Sequence, residues 1–164
     1  MDRPQHTLSS LLTGGLAGAA ATVPMTAVME VMKQWQPPQE RYRLPPIAIT
    51  TRAAAKVGLE EHVHHSEWSA VSLAAHFGYG ASMGALYAAT RQTIRPPFLL
   101  GGAIYGLALW AGGYLGWVPA LGLYRRSTQQ PRARRMLNVW SHVVYGMVLH
   151  LLLDRLWPAH IRRG

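Results

Sequence analysis

Three histidines, His76, His142 and His150, sit inside long runs that contain no Asp, Glu, Lys or Arg. Two of them share a local pattern. His76-Phe77-Gly78-Tyr79-Gly80 and His142-Val143-Val144-Tyr145-Gly146 both read His-x-x-Tyr-Gly, so each imidazole has a tyrosine, Tyr79 or Tyr145, one turn away. Residues four apart share a helix face, which places His142, Gly146, His150 and Asp154 on one stripe. Ser72, His76, Gly80 and Gly84 form a second, and Gly14, Gly18, Thr22, Thr26 and Glu30 a third. Imidazole titrates near pH 6.5, so His76, His142 and His150 with Glu30 or Asp154 form a candidate proton-sensing or proton-relaying set. Two other chemistries fit the same residues. Each histidine can be neutral and make one interhelical hydrogen bond, or His76 and His142 can be axial ligands to a haem b between two helices.

The elements that carry these residues are four charge-free runs, 4–29, 68–90, 96–124 and 136–153, in a chain of 164 residues with 16 basic and 7 acidic side chains. A helix needs about 20 mostly apolar residues to cross a bilayer, and each run is long enough. The pattern predicts an all-α polytopic membrane protein, with transmembrane helices at about 8–31, 68–90, 97–118 and 136–157. The mean hydropathy of +0.04 is low because the spans are rich in Gly, Ala, Ser and Thr. Such residues let helix backbones approach closely within lipid. Gly14, Gly18, Gly80, Gly84, Gly102, Gly106 and Gly146 are therefore candidate packing positions. The first span reads as an uncleaved helix rather than a secretory signal, since its basic n-region is only Arg3 and its polar pattern continues to Met29.

The first loop, 32–67, contains Pro37, Pro38, Pro45 and Pro46 and a predicted helix at 46–58, with Pro46 at its start and Gly58 at its end. That helix would rest at the membrane surface with Arg52 and Lys56 on its wet side, or cover the end of the bundle as a connector. The second loop, 91–95, is short and predicts antiparallel neighbours on either side. Five Lys or Arg lie in the first loop and five in the third, against six on the opposite side, which places both loops in the cytoplasm and both termini outside. Trp35, Trp68, Trp117, Trp140 and Trp157 fall near span ends, as headgroup-seeking indoles do.

The net charge of +9 lies in loops between apolar spans, which fits anionic lipid and argues against nucleic acid. No cysteine is present, so disulfides, thiolate metal sites and thiol catalysis are excluded. Glu60, Glu61, His62, His64, His65 and Glu67 crowd together before the second span, but without a four-residue His spacing they read as a solvated loop. No phosphate-binding loop, dinucleotide fold turn, HExxH or nucleophile elbow occurs, so the expected class is non-enzymatic, without a cofactor. A four-helix bundle encloses little space, and a homodimer joined through a stripe such as Gly112-xxx-Gly116 would enlarge it.

The two His-x-x-Tyr-Gly helices each follow a Gly-rich helix, Gly14-Gly15-Leu16-Ala17-Gly18 and Gly101-Gly102-Ala103-Ile104-Tyr105-Gly106, so the chain reads as two similar hairpins. In order along the chain, Ala21-Thr22-Val23-Pro24-Met25-Thr26, Pro37-Pro38, Pro45-Pro46, Ala75 to Gly80, Pro119-Ala120-Leu121-Gly122-Leu123 and His142 to Gly146 resemble the YagU-like family of uncharacterised bacterial inner-membrane proteins. The resemblance implies a multi-pass protein of the bacterial inner membrane connected with tolerance of acid stress. It implies no reaction and no catalytic residue.

Overall fold

A computed structural model describes residues 3–41, 43–91 and 100–156, and among them the chain is all helical, without strands. The long helices are α1 (Arg3–Gln34), α2 (Pro45–Lys56), α3 (Trp68–Arg91), α4 (Leu100–Ala111) and α5 (Arg132–Leu156). Two of them, over Leu8–Gln34 in α1 and throughout α5, are long and apolar enough to cross a membrane. The expected loop residue Arg95, the indole of Trp157 and the terminus at Gly164 lie outside the described residues.

α2 begins with Pro45 and Pro46 in its first turn, where a missing N–H costs nothing. It ends in a Schellman motif: Gly58 takes the left-handed φ of 71°, and the N–H groups of Leu59 and Gly58 donate to the carbonyls of Ala54 and Ala55. α1 runs without a break through Pro24, whose ring removes one backbone donor. Thr22 and Thr26 back-bond to the carbonyls of Gly18 and Thr22 at 2.9 and 2.8 Å, which satisfies their hydroxyls inside the helix. α4 does not continue as the regular span expected at 97–118. It passes into a π-helical turn, Gly112–Trp117, with Gly116 at φ −104°, ψ −111°, and then into a last turn, Val118–Ala120. That turn breaks the four-residue period of Gly112-xxx-Gly116. Both glycines are exposed on it.

α1 packs on α3 and on α5, α4 packs on α5, and α2 lies against α3. The tight interfaces are glycine seams. A Cβ at Gly18 would stand 2.3 Å from the carbonyl oxygen of Gly80, and one at Gly84 2.3 Å from that of Gly14. In the second hairpin, a Cβ at Gly102 would stand 2.4 Å from the oxygen of Gly146 and one at Gly106 2.0 Å from that of His142. These contacts correct the pairing of the two hairpins by one helical turn. If His76 matches His142 and Gly80 matches Gly146, then Gly18 matches Gly102 and Thr22 matches Gly106, rather than Gly14 with Gly102. The reason is that the seam requires a small residue opposite Gly80 or Gly146, and it is indifferent to which glycines are adjacent in sequence.

α3 and α4, expected as antiparallel neighbours, meet through side chains instead of backbone seams. Tyr87 and Tyr105 stack with centroids 4.3 Å apart, the Tyr105 hydroxyl donates to the Met83 carbonyl at 2.6 Å, and Tyr79 faces Trp117. Bulky residues hold the two helices apart while glycines draw α1 onto α3 and α4 onto α5. Alanines 17 and 21 and Met25 and Met29 of α1 meet Tyr145, Leu149 and Leu153 of α5 in the core.

Candidate functional site

The gap between α3 and α4 is a cavity of about 320 Å³, walled also by α1 and α5 and covered by Pro46, Ile49, Thr50 and Ala53 of α2. His76 and His142, on different helices, both line it, together with Thr22, Tyr79, Tyr114, Trp117 and Tyr145. Among the described residues, no Asp, Glu, Lys or Arg does. The π-helical turn supplies Gly113, Tyr114 and Trp117, so the interruption of α4 shapes one wall.

His142 is buried, and its Nδ1 lies 2.7 Å from the Asn138 carbonyl in its own helix. A carbonyl only accepts, so Nδ1 carries the proton and Nε2 of the neutral ring is an acceptor turned away from the helix backbone. The Tyr114 ring stands edge-on to this imidazole at 5.6 Å. His76 is half-buried, and its Nε2 has no hydrogen-bond partner among the described residues. The hydroxyls of Thr22 and Tyr145 are committed elsewhere: Thr22 to Gly18, and Tyr145 to the Gly80 carbonyl at 2.6 Å. The two His-x-x-Tyr-Gly segments thus differ in their surroundings. Tyr145 is a buried tie from α5 to α3, whereas Tyr79 is partly exposed beside Trp117 at the rim of the cavity.

The remaining histidine belongs to a separate site. His150 is fully buried, with Nδ1 2.7 Å from the Tyr87 hydroxyl and Nε2 3.3 Å from the Asp154 carboxylate. Arg91 pairs with the same carboxylate and also reaches the His150 carbonyl at 3.5 Å. This network fastens the end of α3 to the end of α5, with α1 between them. The single set of His76, His142, His150 and a carboxylate expected from spacing is therefore divided in two. Glu30 joins neither part, being exposed and paired with Lys33 at 3.5 Å.

Several contributors were not singled out from sequence, notably Tyr87, Arg91, Tyr105 and Tyr114. One signal was available. Tyr79-Gly80, Tyr105-Gly106 and Tyr145-Gly146 repeat a tyrosine beside a seam glycine, and a residue next to the seam faces the neighbouring space. The loop cluster before α3 has a local role: the Glu67 carboxylate accepts from the His64 backbone N–H at 3.1 Å in a capping box. Among the described residues, no three His, Cys, Asp or Glu are grouped to hold a metal ion. At the loop end of the bundle Arg52 donates to the Leu123 carbonyl at 3.3 Å, so this basic residue binds the third loop rather than only facing water. Nearby, burial pushes the Tyr124 phenol up from its ordinary pKa, and the Arg134 and Arg52 guanidinium groups oppose that shift.

No family model, no curated protein and no solved structure matches the chain.

Proposed function

We propose that the chain is a multi-pass membrane protein of four transmembrane helices in two similar hairpins, in which a cavity histidine pair makes transport or sensing responsive to pH. The membrane part is supported by an inverted distribution of residues. Leu8, Leu12, Leu16 and Val23 of α1 and Leu100, Ile104 and Leu107 of α4 point outward, while Ser10, Thr22, Ser72, Asn138, Ser141, His142 and His150 are buried. Water selects the opposite arrangement; hydrocarbon tolerates large aliphatic groups outside and requires polar groups to be satisfied inside. α2 then covers the cytoplasmic end, and the lipid bilayer is the immediate partner.

The observation that carries the functional part is the meeting of His76 and His142 in one cavity that, among the described residues, holds no other ionisable residue but tyrosine. Protonating either imidazole places a charge where none is compensated, which changes the hydration and the ligand preference of the space. A link to acid tolerance, in the bacterial inner membrane, follows from the resemblance to YagU-like proteins and belongs to this proposal. The test is His76→Gln and His142→Gln, which keep hydrogen-bonding groups but do not titrate near pH 6. Both variants should insert and fold normally yet lose the difference in proteoliposome ion flux between pH 5 and pH 7 and any survival advantage in acid. Unchanged flux and survival at matched expression would refute the reading.

A structural or accessory role is favoured by one observation, the occupation of both His150 nitrogens by Tyr87 and Asp154. A haem b site is favoured by another, the Asn138 bond that turns Nε2 of His142 outward as a ligating imidazole requires. A Soret band in the purified protein would decide for haem.

A further inference from the structure

The cavity between α3 and α4 has features of a binding site for a particular class of molecule. Its walls are largely apolar and aromatic, and its volume of about 320 Å³ falls at the lower end of the roughly 300–1,000 Å³ range of small-molecule sites. Among the described residues it lacks carboxylates, ammonium groups and guanidinium groups, so a permanently charged ligand would be desolvated there without a counter-ion. Among its polar side chains, Thr22 and Tyr145 have their hydroxyls tied to backbone carbonyls. Thr50, Tyr79, Tyr114 and Trp117 add polar groups to the lining, and Nε2 of neutral His142 is an acceptor; Nε2 of His76 has no partner among the described residues but is closed off from the cavity surface. A purely apolar occupant such as an acyl chain would leave the Nε2 acceptor of His142 unsatisfied.

The rim indicates the route of entry. Tyr79 and Trp117 line the cavity and yet are 39% and 44% exposed, and they lie on α3 and on the π-helical turn that follows α4, which make no backbone seam with each other. An opening between α3 and α4 faces sideways from the bundle. In a four-span protein that direction is the lipid, not the aqueous phase.

We infer that this cavity binds an uncharged, lipid-soluble aromatic molecule bearing a hydroxyl, which enters from the bilayer between Tyr79 and Trp117 and donates its hydroxyl proton to an imidazole nitrogen. The aromatic ring packs against the side chains of Tyr114 and Trp117, and the hydroxyl lies at the His76 and His142 end. This inference deepens the proposed function and rests on its four-span reading, since only then is the α3–α4 opening within the hydrocarbon.

The test uses the full chain in nanodiscs of zwitterionic phospholipid, with 4-butylphenol as probe and titration calorimetry against empty nanodiscs as the readout. Saturable, one-to-one binding above partition into lipid is expected. 4-Butylanisole, which has the same ring but no hydroxyl proton, should bind roughly tenfold more weakly, the worth of about one neutral hydrogen bond. 4-Butylbenzoate should show no saturable binding. Ala53→Trp, which fills the cavity from α2 without altering either histidine, should abolish binding while helicity is kept. Equal affinities for phenol and anisole on the wild-type protein, or no saturable phenol binding, overturn the inference without any variant having to fold. Flux measured on the same preparations separates the two ideas. Flux that depends on pH and on His76 and His142, without phenol binding, sinks this inference and leaves the proposed function; phenol binding with flux insensitive to pH does the reverse.

Discussion

Gly146→Ala tests the glycine seam most directly, because every atom it would strike belongs to backbone. A Cβ there would lie 2.0 Å from the Gly102 carbonyl oxygen and 2.8 Å from the Gly106 nitrogen. Ordinary contact begins near 3.4 Å, so α4 and α5 must part by more than an ångström, and no side chain can rotate to make room. Overpacking of this kind costs about 1–3 kcal/mol, against which Ala in place of Gly regains about 1 kcal/mol of helix propensity. A net loss of up to about 2 kcal/mol follows. Gly78→Ala is the matched control: it lies inside α3, a Cβ there meets nothing within 4 Å, and only the propensity gain of about 0.5–1 kcal/mol remains. Titration with SDS from a mild detergent, followed by tryptophan fluorescence, should order the proteins as Gly78→Ala, wild type, Gly146→Ala from most to least stable. Gly146→Ala at or above wild type would mean that α4 and α5 do not approach through Gly102 and Gly146.

In the other hairpin the obstacle is a side chain, since a Cβ at Gly80 would lie 2.0 Å from the Thr22 hydroxyl oxygen. Thr22→Ala should therefore relieve part of the loss caused by Gly80→Ala, with a coupling of about 0.5–3 kcal/mol in a double-mutant cycle. Asp154→Asn should destabilise the bundle by about 1–2 kcal/mol in the same SDS titration, less than a fully buried pair because the carboxylate is 31% exposed, and Arg91→Met with Asp154→Leu should recover most of it. A cysteine placed at Gly164 should react with an impermeant reagent in whole cells and one at Thr128 should not; the opposite result would invert the orientation drawn from loop charge.

The extents of three of the four expected long helices were legible from composition, whereas the one expected at 97–118 is interrupted after Ala111. α1, α3 and α5 cover the expected 8–31, 68–90 and 136–157 as far as the described residues reach, and α2 covers 46–58 to within two residues. The packing role of Gly14, Gly18, Gly80, Gly84, Gly102, Gly106 and Gly146 was also legible, since only glycine permits the 2.0–2.6 Å separations that a Cβ would meet there. Spacing along one helix, however, says nothing about which faces meet. His142 and His150 share a stripe of α5, yet the first opens on the cavity and the second is clasped by Tyr87, Asp154 and its neighbour Arg91. Glu30 shares a stripe with Gly14 and Gly18 but extends past the end of the seam into an exposed pair with Lys33. The cavity itself was decided by tertiary structure, through an imbalance no local pattern records. Backbone carbonyls and glycines bring α1 to α3 and α4 to α5, while the stacked rings of Tyr87 and Tyr105 and the π-helical turn of α4 keep α3 and α4 apart.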